Sequence, residues 1–220
     1  MLIGLTGNIA TGKSAVAQVL RELGAYVIDA DQVSRVVVYK GRPALDEIVR
    51  AFGTQMLQPD GELNRSALGK VVFNDPAKLH QLEAIVHPAV RAEMEQQLAG
   101  LPADSVAVIE VIKLFESGWA DRCNEVWVTH CPPEEQVARL MHSRGMSEAD
   151  ARTRVEAQNP QADKLARADV VIDTSGTHEV TRARVAREWR RLGSGGQGSG
   201  IRCQNFGQDN FHSTCARNED

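Results

Sequence analysis

Cysteine is scarce in this chain of 220 residues: Cys123, Cys131, Cys203 and Cys215 make up the full set. No two stand in C-x-x-C spacing, so neither a zinc site nor a redox pair is indicated. Long apolar runs are missing, and none approaches the ~20 residues of a membrane span. The chain starts Met1-Leu2-Ile3-Gly4-Leu5, without the basic stretch and cleavage pattern of a secretion leader. Positive charge is not in excess. Lys and Arg total 25 against 29 Asp and Glu, a formal net charge of −4, which gives no support to a dedicated nucleic-acid binder. Internal repeats are absent. These absences together predict a reduced, soluble, cytoplasmic protein with no nucleic-acid and no membrane partner. What is present, 42% hydrophobic and 25% charged residues, suits a globular chain large enough to form a core without disulfide or metal.

The apolar run Leu2 to Thr6 reads as a strand buried on both faces, stopping at Gly7. Helical spacing follows over 13–23, with Val16, Val19, Leu20 and Leu23 in register and Gly24 at the C-terminal cap. Tyr26-Val27-Ile28 reads as a second buried strand, ending at Asp29-Ala30-Asp31. Strand, helix, strand in this length is a βαβ unit, which implies a parallel sheet. From 32 to 104 the patterns are helical, over 43–52, 65–73 and 76–99, and predict an inserted helical part. Strands return at 106–109 and 125–129. Residues 134–158 read as two helices broken at Gly145, with Pro132-Pro133 opening the first. A last strand over 169–173 precedes a last helix over 177–191. The expected fold class is α/β, a five-stranded parallel sheet flanked by helices. From Gly193 the composition turns Gly- and Ser-rich, and 193–220 is expected to be a disordered, linker-like tail.

Gly7-Asn8-Ile9-Ala10-Thr11-Gly12-Lys13-Ser14 matches G-x-x-x-x-G-K-[ST]. Glycines let backbone N–H groups turn toward phosphate oxygens. The helix that follows, from Lys13, Ser14 and Ala15 on, presents its positive end to the anion. In such a loop the lysine reaches the β- and γ-phosphates and the hydroxyl ligates Mg²⁺. Asp29 and Asp31 follow the second strand, at the edge of a parallel sheet where ligands bind. One could take a proton from an attacking hydroxyl and the other could hold Mg²⁺ through water. Asp31 suits equally the N-cap of a helix starting near Gln32. The N-K-x-D base-reading motif of regulatory GTPases is absent. A helical insert and late arginines favour a small-metabolite or nucleotide kinase that closes a lid over the phosphates.

The chain resembles the dephospho-coenzyme A kinase family. The resemblance is carried by Ile3 to Ser14, Leu23 to Asp31, Phe52-Gly53, Asp60 to Arg65, Val72-Phe73, Leu82 to Pro88, Leu114-Phe115-Glu116, Gln136 to Arg139, Gln158 and Ala168 to Asp173. It implies transfer of the ATP γ-phosphoryl group to the ribose 3′-hydroxyl of dephospho-CoA, with Mg²⁺, as the last step of coenzyme A synthesis. It implies a single P-loop kinase domain over 1–192. The nucleotide core would span 1–31, 105–137 and 165–192, a helical CoA-binding part 32–104 and a helical lid 138–160. Asp31 matches the general base, and Lys13 and Arg139 join it as catalytic positions. The loop Gly7 to Ala15, Arg144 and Gln158 fall on the ATP side, with Gln158 near the adenine. Arg65, His87, Lys113 and Glu116, with Asp31, fall on the acceptor side. Ser14 and Asp29 are the metal positions. A monomer or weak homo-oligomer is expected. Other readings of the same architecture are a kinase with another acceptor and a non-catalytic nucleotide-binding module.

The chain departs from the family pattern at a few positions. Asn8 stands where glycine is usual, and Asn tolerates a positive φ best among the other residues. Asn64 replaces a usual Asp, and Thr174 a common Asn. Val111-Ile112-Lys113-Leu114-Phe115-Glu116 replaces Val-Pro-Leu-Leu-Phe-Glu. A buried, unpaired Lys113 would be costly, so either it faces substrate phosphates or carboxylates, or acceptor binding is altered.

Overall fold

The computed structural model describes residues 1–194. Its strands are β1 (Leu2–Thr6), β2 (Tyr26–Asp29), β3 (Ala107–Glu110), β4 (Glu125–His130) and β5 (Val170–Asp173). They form one parallel sheet in the order β2-β3-β1-β4-β5. The helices are α1 (Lys13–Glu22), α2 (Ala30–Val36), α3 (Pro43–Phe52), α4 (Arg65–Val72), α5 (Pro76–Ala99), α6 (Pro133–Arg144), α7 (Glu148–Glu156), α8 (Gln161–Leu165) and α9 (His178–Ser194). The tail expected over 193–220 lies outside the described residues, except that Gly193 and Ser194 end α9.

The five-stranded α/β sheet is the one expected, but two details of its edge differ. The reading of Tyr26–Ile28 as a second buried strand is corrected: β2 is an edge strand, and Tyr26 is 46% exposed while Ile28 is buried. β3 lies between β1 and β2, so Asp29 does not end the strand next to the phosphate loop. Glu110, at the end of β3, does, and it pairs in register with both Leu5 and Asp29.

Alternation along the central strands divides the core in two. Ile3, Leu5, Val108 and Trp127 face α1 and α9, against Val16, Leu20 and Val185. Ile28, Ile109, Val126 and Val128 face the opposite way and share a core with Leu45, Ile48, Phe52, Leu68 and Met94. Helices α2–α5 therefore cover a sheet face, with α5 packed on α2, α3 and α4. The strand alternation and the i, i+3, i+4 spacing of α3 (Leu45, Ile48, Phe52) produce the same interface from both sides.

A third small cluster links Val137, Leu140 and Ala151 of α6 and α7 to Ile9 and Ala10. The break expected at Gly145 is there: Gly145 ends α6 at φ 62 in the left-handed region. The short helix α8 escaped the periodicity reading because five residues are too few to display a helical period, and the helix expected to start near Gln32 is α2, which begins two residues earlier at Ala30. Pro88 lies inside α5 and the helix continues through it.

Candidate active site

The phosphate loop runs from the end of β1 into α1 at the middle of the sheet. Its first glycine is set by close approach. A Cβ on Gly7 would stand 2.3 Å from Thr129 Oγ1 and 2.6 Å from Thr11 Oγ1. Gly12 caps α1 in the left-handed region at φ 82. The residue with positive φ that is not glycine is Ala10, at φ 56, among the described residues. The positive φ that an asparagine would tolerate at position 8 is not adopted there. At Ala10 it is held by contacts: Ala10 packs with Ile9 beneath α6 and α7, and its carbonyl accepts from Arg139 Nη1 at 3.2 Å.

Loop side chains bind one another and the sheet. Thr11 Oγ1 donates to Asn8 O at 2.7 Å and lies 2.7 Å from Thr129 Oγ1. Thr174 Oγ1 donates to Thr11 O at 2.8 Å. Lys13 Nζ donates back to Gly7 O at 3.0 Å. Burial is the main influence on the Lys13 ammonium and lowers its pKa; Glu110, Asp31 and Asp29 oppose the shift, and Lys164 adds to it. One lysine thus feels all three carboxylates of this sheet edge.

Ser14 Oγ donates to Glu110 Oε1 at 3.3 Å. Glu110 is buried, and its pKa is raised first by that burial and then by the charge of Asp29, with Lys13 and Ser14 opposing. Sequence reasoning missed Glu110, although the signal was present: an apolar strand, Val106 to Ile109, that ends in a carboxylate. The hydroxyl and carboxylates supply only hard oxygen donors, the set that suits Mg²⁺. The residues present therefore fit the expected ion, with the oxygens of Ser14, Glu110 and Asp29 as the donors that would hold it.

Asp29 and Asp31 have different surroundings. The Asp29 side chain caps α2, accepting from Asp31 N at 2.9 Å and Gln32 N at 3.2 Å. The cap considered for Asp31 belongs to Asp29. Asp31 stands exposed in the first turn of α2, its carboxylate accepting no hydrogen bond among the described residues.

Arg139, expected among the catalytic residues, is committed to the back of the loop. Besides Ala10 O it reaches Thr174 Oγ1 at 3.2 Å, Thr174 O at 2.5 Å and Glu135 Oε1 at 3.2 Å. Its guanidinium thus braces the Ala10 and Thr174 backbone carbonyls behind the loop. Gln158, expected near the adenine, accepts from Ile9 N at 2.6 Å. Glu116 is joined to this region through Asn159 Nδ2, at 3.3 Å.

The structure does not gather every expected residue here. Arg65 donates to Arg35 O at 3.1 Å and lines an open cavity with Tyr39, Gln58, Glu62 and Asn64. His87 is exposed on α5, and Arg144 is exposed at the end of α6. Lys113 is exposed on the turn after β3, so the desolvation cost that a buried lysine would carry does not arise. No hydrogen bond or ion pair links Arg65, His87, Lys113 or Arg144 to the loop. Two residues not singled out from the sequence do reach it. Gln161 Oε1 accepts from Asn8 N at 3.2 Å, and Lys164 Nζ donates to Asn8 Oδ1 at 2.8 Å.

Glu110 gives a test that separates function from stability. Its raised pKa means that the folded chain holds this proton more tightly than the unfolded chain. Its contribution to stability is full below the unfolded carboxylate pKa and is lost as pH rises through the folded one. Glu110→Gln should therefore raise the melting temperature at neutral pH, with the gain vanishing toward about pH 4. The same variant should lose at least ~10-fold in activity, the usual cost of removing a partner behind a metal ligand. Melting curves across pH, beside initial rates, check both. A variant that is less stable at neutral pH would contradict the burial argument.

A family model described as dephospho-CoA kinase matches residues 1–179. A dephospho-CoA kinase of Symbiobacterium thermophilum is 46% identical over 202 residues, covering 90% of this chain and 83% of that protein. A crystal structure from Thermus thermophilus superposes with TM-score 0.74 at 34% identity, covering 90% of this chain and 98% of that one. A dephospho-CoA kinase structure from Campylobacter jejuni gives TM-score 0.69 at 26% identity, covering 88% and 98%.

Proposed function

The chain belongs to the dephospho-CoA kinase family, and from that membership we propose how its own residues phosphorylate the ribose 3′-hydroxyl of dephospho-CoA with ATP. The observation that carries the reading is the Ser14–Glu110 contact at the sheet edge, with Lys13 in electrostatic reach of Glu110, Asp31 and Asp29. Phosphoryl transfer needs positioning and charge stabilisation more than covalent participation by the protein. The loop amides and Lys13 bind the β- and γ-phosphates. Ser14, oriented by Glu110, and Asp29 hold Mg²⁺, which when bound neutralises charge on the phosphate oxygens.

Asp31 orients the 3′-hydroxyl and accepts its proton as the new oxygen–phosphorus bond forms. The bond from the γ-phosphorus to the bridging oxygen breaks, and ADP leaves. Arg139 supports this from behind, holding the Ala10 carbonyl and so the shape of the loop. Residues 32–104 are assigned to the CoA side, with Arg65, His87, Lys113 and Glu116 as acceptor contacts. Residues 138–160 form the lid, with Arg144 at its outer end; the packing of α6 and α7 on Ile9 and Ala10 supports that assignment.

No helix among the described residues is long and apolar enough to cross a membrane. We assign the protein to the cytoplasm as a monomer or weak homo-oligomer. The free thiols of Cys123 and Cys131 suit a reducing compartment.

The deciding assay incubates the protein with ATP·Mg²⁺ and dephospho-CoA beside a panel of nucleoside monophosphates. Conversion of dephospho-CoA to coenzyme A should exceed turnover of every other acceptor by ~10²-fold or more, because a site built to hydrogen-bond one acceptor leaves polar groups unpaired with another. Preferred turnover of a different acceptor overturns the assignment.

A further inference from the structure

Lys164 is the least exposed lysine among the described residues, at 7%. Moving an ammonium out of water is costly unless a counter-charge is close. Its hydrogen-bond partner is a neutral one, the Asn8 side-chain oxygen at 2.8 Å. Burial lowers the Lys164 pKa, and the charge of Glu116 opposes that shift. Glu116 itself is bonded to Asn159, whose carbonyl accepts from Asn8 Nδ2 at 3.1 Å.

The two amides beside Lys164 are in the same condition. Asn8 N donates to the neutral oxygen of Gln161, and Ile9 N to that of Gln158. Three donors at the start of the phosphate loop thus face neutral oxygens from one short stretch of chain and from Asn8 itself. An anionic phosphate oxygen is the stronger acceptor for each of them. Lys164 also lies close enough to Lys13 to disfavour its charge. An anion shared by the two ammonium groups would relieve that repulsion.

We propose that Lys164 is a second cation of the phosphoryl-transfer site, resting on the Asn8 side chain when no nucleotide is bound and contacting anionic phosphate oxygens when it is. The proposal rests on the loop being a nucleotide-phosphate site, as assigned above. Lys13 holds the loop from the α1 end, and Lys164 meets the same anion from the Asn8 end. The charge of Glu116 opposes the effect of burial on this ammonium.

The test uses the full chain, with Lys164→Met and Lys164→Arg, and inorganic tripolyphosphate as a probe that needs no acceptor. Calorimetry should show tripolyphosphate binding at least ~10-fold weaker in Lys164→Met, as for a lost charged hydrogen bond, and largely restored in Lys164→Arg. In dephospho-CoA turnover, Lys164→Met should lower kcat by at least ~10-fold, with the KM for dephospho-CoA changed less. Salt should weaken tripolyphosphate binding less steeply in Lys164→Met than in the parent, since one charge is gone.

A structural strut predicts otherwise. In that case tripolyphosphate binding and its salt dependence in the variants match the parent, and activity falls only with melting temperature. That outcome overturns the proposal. Should Lys164→Met not fold, Lys164→Arg decides: loss of tripolyphosphate binding with both retained charge and retained stability also overturns it. Parent protein that binds tripolyphosphate but leaves dephospho-CoA unchanged would sink the acceptor assignment, while the binding comparison still decides the role of Lys164.

Discussion

Asp31→Asn should turn over dephospho-CoA at least ~100-fold more slowly than the parent, the usual loss on removing a general base, with ATP affinity nearly unchanged. A ribose hydroxyl is a poor nucleophile and must lose its proton during transfer. Asn keeps the shape of Asp and its capacity to hydrogen-bond, but not the basic oxygen. The competing explanation for an aspartate here is the start of a helix. That explanation is already used up, because Asp29 accepts both first-turn amides, Asp31 N and Gln32 N. Asp31→Ala should therefore leave the melting temperature near that of the parent. Asp29→Ala should cost about 1 kcal/mol of stability, the typical value of a lost N-cap. Rates and melting points for the three variants separate base from cap. If Asp31→Asn works at close to the parent rate, the base is another carboxylate of this edge.

Lys13→Met should lower kcat by ~10²–10³-fold, the range for removing one preorganised stabilising donor, without lowering stability. The second half follows from the surroundings of the ammonium. Burial is the largest influence on it and lowers its pKa below the ordinary lysine value; Glu110, Asp31 and Asp29 offset this only in part. The folded chain thus releases this proton more readily than the unfolded chain. Stability therefore rises with pH between the two pKa values, and the charge is a cost below them. Methionine keeps the length of the side chain and removes that cost, against one lost bond to Gly7 O. The melting temperature should stay level or rise, and its dependence on alkaline pH should flatten. Near-parent turnover would refute the phosphate-loop role. A marked loss of stability with a matching loss of rate would make Lys13 a structural residue.

The two variants with the largest expected effects thus differ in what the sequence could say about them. The motif alone pointed to Lys13, because spacing along a strand–loop–helix segment is a local property. The same holds for α3, α4 and α5, whose apolar spacing and Pro or Asn starts are written within each segment. It also holds for the break at Gly145, where the left-handed conformation favours glycine. Asp31 was legible as one of a pair, but its role against that of Asp29 was not. Which carboxylate turns back onto the helix start depends on the point where β2 stops, and the strand ends one residue before the helix begins.

Strand order lay beyond the sequence altogether. A βαβ segment specifies that β1 and β2 run parallel, and it leaves open whether another strand enters between them. In the folded chain β3 enters between them, and all four of its residues are buried. That single choice sets Glu110 beneath Ser14 and leaves Tyr26 on the edge. Lys164 is the extreme case. It sits 156 residues from Asn8, on a helix too short to show a period, and reads in sequence as one more surface lysine. Only the packing of the chain after α7 against the phosphate loop takes it out of water, and burial of a charge is a property of the assembled fold rather than of any stretch of chain.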